Sequence, residues 1–211
     1  MGEPLDRAPP GRLSGFTLIE ILAVIAILAL LMSLAVPAIS GAQERARVTA
    51  CKQNLRSIAI ELKGYSELDK GGKWPLQYSG IRFLLVLYKA KRISPKDSKV
   101  FLCPGTQDDN QGGQAYEDFD SIDPMTISYA GFDPKNGAGI RFDVNNPGEV
   151  VIAADDNDGR ANHKHLTNIV YADATVDHFD ITDYEAELGE QTFLPVGPDS
   201  PEPKLQGLSV E

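Results

Sequence analysis

The sequence predicts an α+β chain in which one long N-terminal helix lays its second half against a small antiparallel sheet. Three observations carry this expectation. An apolar run extends from Ile21 to Val36. Beyond it, Val48, Cys51, Leu55, Ile58, Leu62 and Tyr65 recur at spacings of three and four, the stripe of an amphipathic helix. Further on, short β-rich segments are separated by turn residues. One helix stripe and one sheet face bury each other, which is the minimum for a two-layer domain.

The first fifteen residues carry Glu3, Asp6, Arg7 and Arg12, whose charges cancel. A membrane span takes about twenty apolar residues, and Phe16 to Ile39 is just long enough if Glu20 is included. A carboxylate near hydrocarbon is costly, so Glu20 is a functional candidate whose partner must be found. No cation follows it before Arg45, so the partner is expected on another molecule. Pro37 lacks a helical N–H and is expected to bend the helix. The face opposite the later stripe carries Glu44, Arg47, Lys52, Arg56 and Lys63 and reads as solvated. Gly64, Gly71-Gly72 and Pro75 end the pattern, so the helix should run from about Phe16 to about Leu68.

Ile81 to Lys89 fits either a buried strand or a short helix, and the spacing of Leu84, Leu87 and Tyr88 favours the helix. Val100 to Pro104 reads as a short extended piece, and residues 105 to 125 as an acidic loop. Strands are expected at 127–132, 149–154, 168–172 and 175–179, the last two forming a hairpin through Asp173-Ala174. Asp183 to Leu188 suits a last short helix. The Pro-, Gly- and Ser-rich stretch from Pro195 should be loose.

The chain has 211 residues and a formal charge of −10. That balance, with no basic stripe, argues against nucleic acid as a partner. Cys51 and Cys103 are either a disulfide pair, if the domain is extracytoplasmic, or two separate small core residues.

Asp155, Asp156 and Asp158, with Asn157 among them and Gly159 after, crowd hard oxygen ligands into one turn, which suits Ca²⁺. The EF-hand spacing and its closing Glu are missing, so an ordinary solvated acidic turn is the simpler reading. His163, His165 and His178 with Asp173 could form a transition-metal site. A hydrogen bond from His163 to Asp173 that fixes the loop is more economical. The chain contains no Ser-His-Asp elbow, Walker loop, His-Glu-x-x-His helix or Cys-x-x-Cys pair, and a non-enzyme is expected.

Gly15-Phe16-Thr17-Leu18-Ile19-Glu20, followed by the apolar run, resembles the processing site of type IV prepilins and type II secretion pseudopilins. The resemblance implies a pilin-like fold. It also implies that a prepilin peptidase cuts after Gly15 and methylates the new N-terminus at Phe16. Glu20 would then pair with the terminal amine of a neighbouring subunit, and Pro37 falls where the family tends to place a helix-bending proline. The implied order is a leader at 1–15, a transmembrane and assembly helix at 16–39, a periplasmic globular domain at 40–194 and a flexible tail at 195–211. The chain would sit in the inner membrane as a single-pass protein in contact with lipid. Its other partners would be pilin or pseudopilin subunits and an inner-membrane assembly platform. Some pseudopilins bind calcium through a loop near their C-terminal strands, which bears on the 155–158 turn.

A second set of segments is similar to a subgroup of pilin-like proteins: Ala50-Cys51 through Ile58, Gly72-Lys73-Trp74-Pro75, Val100 to Pro104, and His163-x9-Asp173. Ala174 stands where the subgroup has Gly, the residue that normally supplies the positive φ of a tight hairpin turn. This second resemblance implies no chemistry. The expected function is a filament subunit, of a secretion pseudopilus or a type IV pilus. The alternative is a membrane-anchored module that binds Ca²⁺ or a glycan and uses the leader only for export.

Overall fold

The computed structural model describes residues 16–135, 141–157 and 161–211. Helix α1 runs from Leu18 to Gly64, unbroken through Pro37, and continues into a π-helical turn over Tyr65–Asp69. The chain divides into two compact units, Met1–Ala42 and Gln43–Glu211. In the first, the large apolar side chains from Phe16 to Val36 are exposed, from 48% at Leu28 to 83% at Phe16. This helix is long and apolar enough to cross a membrane.

In the second unit, α1 buries Cys51, Leu55, Ile58 and Leu62, the stripe its spacing predicts. Helix α2, Ile81–Lys89, buries Ile81 and all of Phe83 to Leu87. Burial on nearly every side explains why its periodicity alone could not separate helix from strand. The sheet comprises β1 Tyr129–Phe132, β2 Val151–Asp155, β3 Leu166–Tyr171, β4 Val176–Asp180 and β5 Leu208–Ser209, in the order β4-β3-β2-β1-β5. Every pairing is antiparallel. A long helix with a small antiparallel sheet is the pilin-like α+β fold.

Gly131 of β1 meets the chain entering α2 backbone to backbone. A Cβ on Gly131 would lie 2.0 Å from the carbonyl oxygen of Gly80, so only glycine fits.

Three expectations are corrected. Pro95–Phe101 is a 3-10 helix, and only from Leu102 is the backbone extended. Pro95 favours the turn because its fixed φ suits the first helical position. Asp183–Leu188 begins as a 3-10 turn, Ile181–Tyr184, before α3 at Glu185–Leu188. The stretch 195–211 is not a loose tail: β5 pairs with β1, and Leu205 and Leu208 are fully buried. Two buried leucines and a sheet edge outweigh a composition that favours looseness.

The β3–β4 hairpin shows how Ala174 replaces a glycine. Ala174 N–H donates to Tyr171 O at 2.9 Å, and Tyr171 N–H donates to Thr175 O at 2.9 Å. Ala174 itself takes the left-handed conformation, φ 70°. This is the turn-plus-bulge connection that glycine normally closes.

Candidate functional site

The start of α1 is a reciprocal cap. Thr17 N–H and Thr17 Oγ1 both donate to Glu20 Oε2, at 2.8 and 2.9 Å, while Glu20 N–H reaches Thr17 Oγ1 at 3.4 Å. Thr-x-x-Glu is the capping-box pattern, which satisfies backbone donors at a helix N-terminus. The carboxylate is therefore held on Thr17 at the start of the apolar segment, next in sequence to the exposed Phe16. Gly15 lies outside the described residues, and Pro37 continues the helix. The Thr-x-x-Glu capping pattern is a sequence signal in its own right, independent of any charge partner for Glu20.

The second unit gathers a different group. Cys51 on α1 and Cys103 after the 3-10 helix are joined by a disulfide with Cα atoms 5.2 Å apart, inside the range a disulfide spans. His163, in the β2–β3 connection, sets Nε2 3.3 Å from Cys103 Sγ and Nδ1 3.3 Å from Glu44 Oε1. Burial pulls the imidazole pKa below its ordinary value, with Glu44 opposing the shift. A neutral ring that donates from Nδ1 to Glu44 turns the lone pair of Nε2 toward the sulfur. Gly105 N–H donates to Cys103 Sγ at 3.3 Å, and Tyr129 O–H to Cys51 Sγ at 3.5 Å.

Asp155, the last residue of β2, is fully buried beside this group. Its Oδ2 accepts from the backbone N–H and side-chain amide of Asn168, at 2.8 and 2.9 Å. Burial dominates and pushes its pKa up to about 8.

Within the acidic run, Asp155 and Asn157 do not lie on the surface. Asp155 points into the core. Asn157, also buried, donates to Thr167 Oγ1 and Leu194 O and accepts from Asn162 N–H. Asp156 is half-buried, and Asp158 lies outside the described residues. The expected His163–Asp173 hydrogen bond is replaced as well. Both ring nitrogens of His163 face Glu44 and Cys103, whereas Asp173 Oδ1 accepts from Thr175 N–H at 2.8 Å inside the hairpin turn. Exposed His178 lies on β4, 3.2 Å from Lys52 Nζ, and does not join His163. Glu44 carried no sequence signal, since a charged residue on a solvated helix face looks like any other.

Residues 12–36 match the family described as the prokaryotic N-terminal methylation motif. The chain carries a prepilin-type N-terminus. It is also similar to type II secretion system core protein G of Pseudomonas aeruginosa, 44% identical over 72 residues, which are 34% of this chain and 49% of that protein. The chain thus spans about half the length of this curated relative. No solved structure matches it. The prepilin-type match covers Phe16, Glu20 and the apolar helix and stops before Pro37, so the disulfide–histidine group lies beyond it.

Proposed function

We propose that this chain is a pilin-like filament subunit, held in the inner membrane by residues 16–39 and assembled through α1. A prepilin peptidase cuts after Gly15 and methylates the amine of Phe16. The observation that carries this reading is an apolar helix left exposed along its first half, with one carboxylate fixed at its mouth. Such a surface is stable in lipid or against other copies of the same helix. In a filament, the amine of an incoming Phe16 meets Glu20 in a low-dielectric setting, where an ion pair is stronger than in water. Head-to-tail contacts of this kind do not close and so build open helical assemblies. The relative's name favours a secretion pseudopilus. The role is structural: partners are other subunits and an inner-membrane assembly platform, with the second unit on the periplasmic side.

Intact mass of the protein isolated from membranes tests the processing step. A chain beginning at N-methylated Phe16 is expected. Retention of residues 1–15 in cells with an active prepilin peptidase overturns the proposal. Glu20→Gln tests assembly, because it keeps a carbonyl acceptor for Thr17 and removes the charge. An unpaired buried amine costs on the order of 3–5 kcal/mol, so cross-linked multimers should disappear while processing continues. Undiminished multimers would remove Glu20 from assembly, and the absence of multimers from the parent as well would favour an anchored binding module, for which Glu20 is dispensable.

A further inference from the structure

The Cys51–Cys103 group has the layout of a metal centre once its disulfide is open. One ligand atom each from Cys51, Cys103, Asp155 and His163 lies within 4.8 Å of the others, and all four residues are buried. Two sulfurs, an imidazole nitrogen and a carboxylate oxygen make a four-ligand set of the kind tetrahedral zinc takes, at roughly 2.0–2.3 Å from the metal.

The surroundings are those of ligands held for a cation. Glu44 Oε1 lies 3.3 Å from His163 Nδ1 and leaves Nε2 facing the sulfurs. A carboxylate behind a histidine is the usual support of a metal-bound imidazole, where it fixes the tautomer and raises basicity. Asn168 holds Asp155 by Oδ2 with two hydrogen bonds. The other oxygen, Oδ1, is buried and has no hydrogen-bond partner among the described residues. A buried carboxylate oxygen without a donor is costly to keep and is relieved either by a proton or by a cation. Each sulfur also receives a donor, from Gly105 N–H and Tyr129 O–H. Such donors stabilise thiolate, the charged form that binds metal, more than they stabilise a neutral disulfide.

We propose that the dithiol form of this chain holds one zinc-class divalent cation on Cys51 Sγ, Cys103 Sγ, His163 Nε2 and the Asp155 carboxylate, oriented by Glu44 and Asn168. The chain is synthesised with both cysteines as thiols, so the site exists before any oxidation. Binding releases the two thiol protons to solvent. Closure of the disulfide removes two of the four ligands. A disulfide-class oxidant accepts the two electrons, takes two protons from solvent and is reduced to two thiols, the S–S bond forms, and the cation leaves with its charge unchanged. The metal form and the disulfide form are thus alternatives at one place, and both tie α1 to the Cys103 segment. The inference does not depend on filament assembly.

The test uses the full chain in detergent. A phosphine reductant opens the disulfide, consuming one water and leaving two thiols and a phosphine oxide. Zn²⁺ or Co²⁺ is then added anaerobically. Native mass spectrometry should show one Zn²⁺ per reduced chain and none on the oxidised chain. Co²⁺ should give thiolate charge-transfer absorption together with the intense visible bands of a tetrahedral site. If reduction alone loosens the domain, Zn²⁺ should restore its near-ultraviolet circular dichroism. Glu44→Gln, which leaves all four ligands in place, should weaken Zn²⁺ by about tenfold. The proposal is overturned if the reduced chain binds no metal, if Co²⁺ shows no thiolate bands, or if the Cys51→Ser/Cys103→Ser variant binds as well as the parent. Unchanged affinity in Glu44→Gln would remove Glu44 from the site.

Discussion

Glu44 Oε1 stands 3.3 Å from Nδ1 of His163, across 119 residues of sequence. The backbone N–H of Lys164 reaches the same oxygen at 3.4 Å. One carboxylate on the polar face of α1 thereby anchors the β2–β3 connection and orients the imidazole that faces Cys103. A helix face that reads as solvated thus makes structural contacts, and the reason lies in what packs above it.

The disulfide should carry a large share of the domain's stability. Cys51 and Cys103 are 52 residues apart, and closing a loop of that length in the unfolded chain corresponds to about 4 kcal/mol. The Cys51→Ala/Cys103→Ala variant, which leaves no buried hydroxyl, should lose that amount in denaturant titrations. A loss below about 1 kcal/mol would mean that native packing alone holds α1 to the Cys103 segment.

Asp155 makes the oxidised, metal-free domain less stable as pH rises. Its folded-state pKa of about 8 lies above the ordinary carboxylate value of 3.8. Between those limits the folded state binds more protons than the unfolded state, so stability is full below the lower value and falls through the window. Asp155→Asn removes this dependence. Relative to the parent, the variant should gain stability from pH 5 to pH 8, by on the order of a few kcal/mol at the upper end. His163, whose pKa is lowered, loses stability in the opposite direction, as pH falls below the ordinary histidine value, and cancels in the comparison. Parallel melting profiles for the two proteins would refute the assignment.

Ala174 pays the steric cost of a left-handed backbone at φ 70°. Replacing it with Gly should raise stability by about 1 kcal/mol, the lower end of the αL penalty for an L-residue. The greater entropy of an unfolded Gly offsets part of any larger gain. A lowered midpoint for Ala174→Gly would mean that the Ala174 methyl, packed against the core, contributes more than the strain removes.

The C-terminal strand should be integral to the sheet. Leu205 and Leu208 are fully buried, and β5 covers the edge of β1. Burial of one leucine contributes about 1.5–3 kcal/mol, so Leu208→Ala should lower stability by at least that and increase protease sensitivity. A chain truncated before residue 205 that melts like the parent would restore the loose-tail reading.

Local patterns announced the elements well. The apolar run, the stripe from Val48 to Tyr65 and the short strand-like segments all fall on observed elements, because helix and strand periodicities are properties of neighbouring residues. The ends and the 195–211 stretch were poorly legible. A two-residue strand has no periodicity, and composition does not reveal that Leu205 and Leu208 find a vacant sheet edge. The acidic run misled for a related reason: consecutive carboxylates look alike in sequence, and only the fold decides that Asp155 turns inward.

By itself the sequence determined an apolar N-terminal helix with a prepilin-type entrance, its amphipathic continuation and the antiparallel hairpin, since each is written in contacts a few residues apart. Only the tertiary structure decided that Cys51, Cys103, Asp155, His163 and Glu44 form one group. Those residues come from α1, a loop, a strand end and a connection, and their chemistry depends on burial and on donors supplied by Gly105, Tyr129 and Asn168. Distance and desolvation turn scattered polar residues into a site, and neither is a property of any short stretch of chain.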